Sequence, residues 1–228
     1  MKITSEIYQI ENVRGANSYL VMNKDGILII DTGLPGNGGK IIKYIEGLGK
    51  KSQDIHYIVL THSDPDHSGS VAELKKITDA KIAIHEADAP SISGERQVKE
   101  MKGIPDVLLS FFLKRVMKFQ TVKPDLLLKE GDEIEGFKII HTPGHTPGSI
   151  SLYGKEVLFS GDALQVNRKG NLTPSRKLMA SDIKQAWESI RKINNLNLEF
   201  KILLPGHRKV ILKDASKMLK DLLSNRSK

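Results

Sequence analysis

Four groups of His and Asp, each set among Gly, Pro, Ser or Thr, carry the chemistry legible in this sequence. The first is Leu60-Thr61-His62-Ser63-Asp64-Pro65-Asp66-His67-Ser68-Gly69, which places His62, Asp64, Asp66 and His67 within six residues. Imidazole nitrogens and carboxylate oxygens at that density suit divalent cations. Pro65 is expected to exclude a regular helix here, leaving a tight loop whose side chains fan around a pair of cations. The second group is His141-Thr142-Pro143-Gly144-His145-Thr146-Pro147-Gly148-Ser149. The third, Phe159-Ser160-Gly161-Asp162-Ala163, offers a carboxylate, and the fourth, Leu204-Pro205-Gly206-His207, a last histidine. A lone loop histidine is ordinarily a surface or hydrogen-bonding residue; four such groups in one chain point together to a metal site. Cysteine is absent. That excludes disulfides, thiolate metal sites, iron–sulfur clusters and cysteine nucleophiles, so any metal must sit on His and carboxylate.

The elements that must position these groups follow from hydrophobic periodicity. Strand patterns cover residues 6–10, 18–22, 26–31, 56–60, 81–85, 137–142, 149–153, 156–160 and 200–204. Helical patterns cover 39–48, 68–77, 180–193 and 213–223. The alternation predicts an α/β chain. Each chemical group stands at the end of a strand, where ligands gather in α/β sheets. His56 and His85 fall at the start and end of expected strands and read as structural, as does His141.

The composition, 39% hydrophobic and 27% charged over 228 residues, is that of a globular protein with a substantial core, and excludes disorder. No apolar run approaches the roughly 18 residues a membrane span needs, and the first residues, Met1-Lys2-Ile3-Thr4-Ser5-Glu6, lack the pattern of a signal peptide. The expected location is cytoplasmic, with no membrane partner. The net charge is +8, and residues 208–228 hold seven Lys or Arg against two Asp. A solvated helix face explains that tail better than a nucleic-acid surface, because no aromatic stacking platform is interleaved with it.

The order of these groups resembles that of the metallo-β-lactamase superfamily over nearly the whole chain. The family's early Asp, its H-x-H-x-D-H run, a later His, a later Asp and a final His map onto Asp31 (in Asp31-Thr32-Gly33), His62 to His67, His145, Asp162 and His207. The resemblance implies an αββα sandwich in a single domain, with the site along one edge of the sheets. The His-Thr-Pro-Gly-His-Thr-Pro-Gly-Ser and Phe-Ser-Gly-Asp segments look most like hydrolases of the glyoxalase II and lactonase type. One departure stands out: Asp64 occupies the place of the family's second His. Carried over position by position, His62, Asp64 and His145 hold one metal, Asp66, His67 and His207 the other, and Asp162 bridges them. Asp66 and Asp31 carry catalytic roles, Asp31 by orienting a histidine through a hydrogen bond. Two divalent ions are implied, zinc by family habit, with iron or manganese favoured by the extra carboxylate at Asp64. The alternative is that Asp64 points away and one metal site is weak.

The function implied is a metal-dependent hydrolase in which a metal-bridging hydroxide attacks a small ester, thioester, lactone or related substrate. Two alternatives remain open. One is iron-dependent redox chemistry of the flavodiiron or persulfide dioxygenase kind, since flavodiiron proteins also have a carboxylate at the position of Asp64. The other is a nucleic-acid phosphodiesterase. Between residues 87 and 124 the pattern changes: Val107, Leu108, Phe111, Phe112, Val116, Met117 and Phe119 crowd a basic stretch. Superfamily members often carry inserted helices there, so the segment resembles a helical lid, and a homodimer contact is the other reading. A lid of this kind would suit an anionic small molecule with an apolar portion.

Overall fold

The computed structural model describes residues 1–95, 120–175 and 179–225. Of the lid-like segment, residues 96–119, with Phe111 and Phe112, lie outside the described residues. The chain divides into two compact units, Met1–Leu127 and Leu128–Lys228.

The first unit is built on a sheet in the order β1-β2-β3-β4-β5-β6: Ile7–Gln9, Tyr19–Met22, Ile27–Ile30, Ile55–Val59, Lys81–His85 and Leu126–Leu128. β1, β2 and β3 are antiparallel, whereas β3, β4 and β5 run parallel. Parallel strands need crossovers, and buried parallel strands read as unbroken apolar runs. Ile27-Leu28-Ile29-Ile30 is such a run, buried throughout. Helices α1 (Gly38–Gly47) and α3 (Val71–Ile77) supply the covering layer, with Ile41, Ile45, Val71 and Leu74 packed against Ile29, Ile58, Leu60 and Ile82. A short helix α4 (Ala89–Ser93) follows β5.

The helix expected over 68–77 is divided. α2 (Pro65–Ser68) is a single turn, and α3 begins after Gly69 and Ser70. The expected exclusion of helix by Pro65 is thus corrected. Proline takes the first helical position, where its missing N–H is no loss and its fixed φ suits the turn. Gly69 ends that turn in a crowded place: a Cβ there would come within 2.4 Å of Pro35 Cδ and of the Pro65 carbonyl.

The second unit holds a sheet in the order β13-β10-β9-β8-β7: Ile202–Pro205, Val157–Gly161, Ile150–Gly154, Phe137–His141 and Glu133–Ile134. Only the β13–β10 pair is parallel. β11 (Leu164–Val166) and β12 (Leu172–Pro174) form a separate hairpin. Helix α5 (Ile183–Asn195) is capped by Asp182, whose carboxylate accepts from the N–H groups of Lys184 and Gln185. From its buried face, Ile190 and Ile193 join Ala215 and Leu219 of α6 (Ala215–Ser224) over Ile140, Leu158, Phe200 and Leu203. All nine expected strands and the four helical regions occur, with ends shifted by at most three residues. β6, β7, β11, β12 and α4 are additional. No helix among the described residues is long and apolar enough to cross a membrane.

Candidate metal centre

In the first unit the chemistry follows β3 and β4. Asp31 comes directly after β3 with a left-handed backbone (φ 58°), a conformation uncommon for a residue with a side chain but tolerated by Asp. Its amide donates to the Val59 carbonyl at 3.0 Å, and the next amide, Thr32, donates to the His67 carbonyl at 2.7 Å. Those bonds lock the turn after β3 to β4 and to α2. The Asp31 carboxylate is buried. Its Oδ1 accepts the Thr61 N–H at 2.8 Å, and Oδ2 lies 2.8 Å from both the Thr61 hydroxyl and His67 Nδ1. A buried carboxylate with three such partners is well compensated for its lost water.

The run from His62 leads through Asp64, the N-cap, into α2, which carries Asp66 and His67. The Ser63 N–H donates to the buried Asp88 carboxylate at 2.8 Å, and the Ser68 hydroxyl donates to the Ser63 carbonyl at 2.9 Å. This fixes the backbone on either side of Asp64. The His62 and His67 rings are tilted against each other with centroids 3.9 Å apart. His62 Nε2 lies 3.8 Å from Asp64 Oδ2, and Asp66 and His67 place ligand atoms within 4.8 Å of each other.

In the second unit, β8, β10 and β13 deliver His145, Asp162 and His207 just beyond their carboxyl ends. The His145 carbonyl accepts from the amide and hydroxyl of Ser181 at 3.1 and 2.9 Å, and its Nδ1 lies 2.7 Å from the Ser175 hydroxyl. Thr146 and Ser149 close the loop with hydroxyls 2.8 Å apart. Asp162 Oδ2 stands 3.6 Å from Nε2 of His145 and 3.6 Å from Nε2 of His207. His141 has a different setting: its Nε2 donates to the Pro147 carbonyl at 2.8 Å and its amide to Glu130 at 2.6 Å, a structural use as expected.

The donors fit a divalent cation. Separations of 3.6 to 3.8 Å exceed a hydrogen bond. They come near the roughly 3.4 Å between two donors that each sit about 2.1 Å from one tetrahedral ion. Imidazole nitrogen with carboxylate oxygen serves zinc, iron and manganese alike, and the set contains no softer donor to discriminate.

Thus His62, Asp64, Asp66 and His67 lie together in the first unit with Asp31 behind them, and His145, Asp162 and His207 lie together in the second. Three residues escaped the sequence reading. Thr61 stands immediately before His62, where its neighbours were the only signal. Asp88, which accepts the Ser63 N–H, and Ser175, which meets the His145 ring, are distant in sequence from those partners, and nothing local marks them.

The Metallo-beta-lactamase superfamily profile matches residues 12–207. A probable metallo-hydrolase of Methanocaldococcus jannaschii, MJ0888, is 31% identical over 199 residues, covering 86% of this chain and 88% of that one. The human acyl-coenzyme A thioesterase MBLAC2 is 27% identical over 215 residues, 86% of this chain and 74% of its own. Among solved structures, TTHA1623 in a di-iron-bound form superposes with a TM-score of 0.65 at 27% identity, covering 90% of this chain and 93% of that one. The α/β fold expected from the hydrophobic periodicity is therefore of metallo-β-lactamase type, and the chain belongs to the metallo-β-lactamase superfamily, as its motifs suggest.

Proposed function

We propose that this protein is a hydrolase holding two divalent metal ions and cleaving a small thioester, ester or lactone, with an acyl-coenzyme A thioester as the first substrate to test. The observation that carries the reading is Asp162 Oδ2, equidistant at 3.6 Å from His145 Nε2 and His207 Nε2, as a carboxylate serving two ions would be. His62, Asp64 and His145 would hold one ion, Asp66, His67 and His207 the other. This pairing of ligands from the two units rests on the order of the family motifs in the sequence. When bound, the ions supply Lewis acidity toward the substrate carbonyl and an activated water nucleophile. The chain's own part is orientation: Asp31 holds the proton on His67 Nδ1, and Ser175 holds the ring of His145 through its Nδ1.

The thioester preference has two supports. MBLAC2 is named for that activity. An acyl-coenzyme A is also anionic with an apolar tail, the chemistry that suits a basic, apolar segment at residues 87–124. We further propose that the protein works in the cytoplasm and that zinc is its metal, with iron the competitor because of Asp64.

The test is metal analysis of protein purified without added metal, followed by assays against an acyl-coenzyme A, a simple aryl ester and a lactone. Two equivalents of metal and hydrolysis of at least one of the three are expected. Metal-free protein that neither takes up zinc, iron or manganese nor hydrolyses any of them would overturn the proposal. Iron with oxygen-dependent turnover would favour the redox reading.

A further inference from the structure

We propose that Thr61 is a positioning residue, the relay through which the one carboxylate of Asp31 sets the tautomer of two histidines, His67 directly and His62 through the Thr61 hydroxyl. Asp31, Thr61, His62 and His67 are all buried, with exposures of 0 to 1%, so water does not compete for these bonds. The Thr61 hydroxyl lies 2.8 Å from Asp31 Oδ2 and 3.0 Å from His62 Nδ1. A carboxylate only accepts, and a hydroxyl has a single proton. That proton goes to Asp31, so the hydroxyl's lone pair faces His62 and requires the imidazole proton on Nδ1. His67 Nδ1 meets Asp31 Oδ2 itself at 2.8 Å, and its 3.5 Å approach to the Thr61 hydroxyl is secondary. Both rings therefore carry their proton on Nδ1 and turn Nε2 toward the ligand side. For His62 this is the nitrogen that lies 3.8 Å from Asp64 Oδ2.

The backbone supports this arrangement. The same Thr61 donates its N–H to Asp31 Oδ1 at 2.8 Å, so residue 61 is bound to both oxygens of one carboxylate and its hydroxyl cannot rotate away without losing a bond. The left-handed backbone of Asp31 (φ 58°) aims the carboxylate at this pair. A misplaced proton on His62 would put an N–H where a lone pair is needed, and the penalty would fall on cation affinity. The consequence for metal binding rests on the metal reading above. The tautomer does not.

The experiment uses the full-length chain, stripped of metal and labelled with ¹⁵N-histidine, at about pH 8, above the imidazole range. Ring nitrogen shifts report the tautomer of His62 and His67, and competition with a chelating dye reports zinc affinity. In the parent, both rings should carry the proton on Nδ1. In Thr61→Val, His62 should become a mixture while His67 keeps its tautomer, and the zinc dissociation constant should rise about 10–100-fold. Thr61→Ser, which keeps the hydroxyl, should retain the His62 tautomer and bind zinc within a few-fold of the parent. A parent His62 protonated on Nε2 would overturn the proposal without recourse to any variant, so a poorly folding Thr61→Val does not shelter it. A folded Thr61→Val with unchanged tautomer and affinity would overturn it equally. A parent with the expected tautomers that fails to bind zinc would count against the metal reading instead.

Discussion

The Nε2 atom of His62 and the Oδ2 atom of Asp64 lie 3.8 Å apart, on a stretch of backbone held from both sides by Asp88 and Ser68. That spacing suits a shared cation better than a direct hydrogen bond, and it makes Asp64 the residue whose chemistry should set metal preference. Carboxylate favours harder ions, and imidazole favours zinc. Asp64→His should therefore raise the ratio of zinc to iron and manganese in protein purified from one medium, measured by elemental mass spectrometry. Asp64→Ala should weaken metal binding by more than the ~10–100-fold typical of residues that only support a ligand. Unchanged metal content and ratio in both variants would show that Asp64 is not a ligand.

For Asp162 the expected effect is larger, because one oxygen is equidistant from two histidines. Asp162→Ala should lose at least one equivalent of metal and reduce hydrolysis to background. Asp162→Asn is the informative partner variant: it keeps the shape and one acceptor oxygen but removes the charge that balances two cations. Retention of both metals and turnover in Asp162→Ala would remove the two-metal reading.

Much of this is legible because strand ends and candidate ligands coincide in the sequence. Ile27-Leu28-Ile29-Ile30 before Asp31, and Val157 to Phe159 before Asp162, are apolar runs that stop where the chemistry starts. The short edge elements were not legible. β7 has two residues and β11 three, too few to display a period. The start of α2 differs from the sequence expectation because proline reads as a breaker, whereas its position, the first of a turn, makes it an initiator. Thr61, Asp88 and Ser175 escaped notice for a different reason. A hydroxyl that meets another residue's ring, or a carboxylate that accepts a distant backbone N–H, is defined by proximity in space, and sequence spacing does not encode that.

A stability prediction follows from Asp125, which is not among the candidate ligands. Partial burial pushes its carboxyl up, but the Ile82 N–H and the Lys75 ammonium, each 2.8 Å from Oδ2, hold it below the usual carboxylate range. A depressed folded pKa contributes stability that is present above the unfolded value, about 3.9, and is lost as pH falls through the folded value. Asp125→Asn should thus lower stability at neutral pH. The loss should stay within about 1 kcal/mol, since the Lys75 pair is partly exposed to solvent. The difference from the parent should vanish in acid. Denaturant unfolding at pH values above and below that range checks the sign. A deficit that persists undiminished in acid would assign it to hydrogen-bond geometry and remove the charge argument.

A tight constraint on a candidate ligand loop falls at Gly144, the residue before His145. Its φ is +128°, outside the range that side-chain-bearing residues readily adopt, and a Cβ there would fall 2.2 Å from the Ala186 nitrogen and 2.4 Å from its Cα in α5. The Gly144 carbonyl accepts the Asp182 N–H at 2.9 Å, and the His145 carbonyl accepts the Ser181 N–H at 3.1 Å. The loop thus lies flat against the start of α5. Gly144→Ala must push the loop off the helix, adding overpacking and backbone strain of about 1–3 kcal/mol each. Because His145 is the next residue, metal affinity should fall with stability. Gly131 supplies the comparison: its φ is +85°, and a Cβ there meets nothing within 4 Å, so Gly131→Ala carries the backbone cost alone. Thermal unfolding of the two variants, each with and without added zinc, should show Gly144→Ala the less stable and the less stabilised by the metal. Equal losses in the two, with zinc stabilisation intact, would mean that contact with α5 does not hold His145 in place.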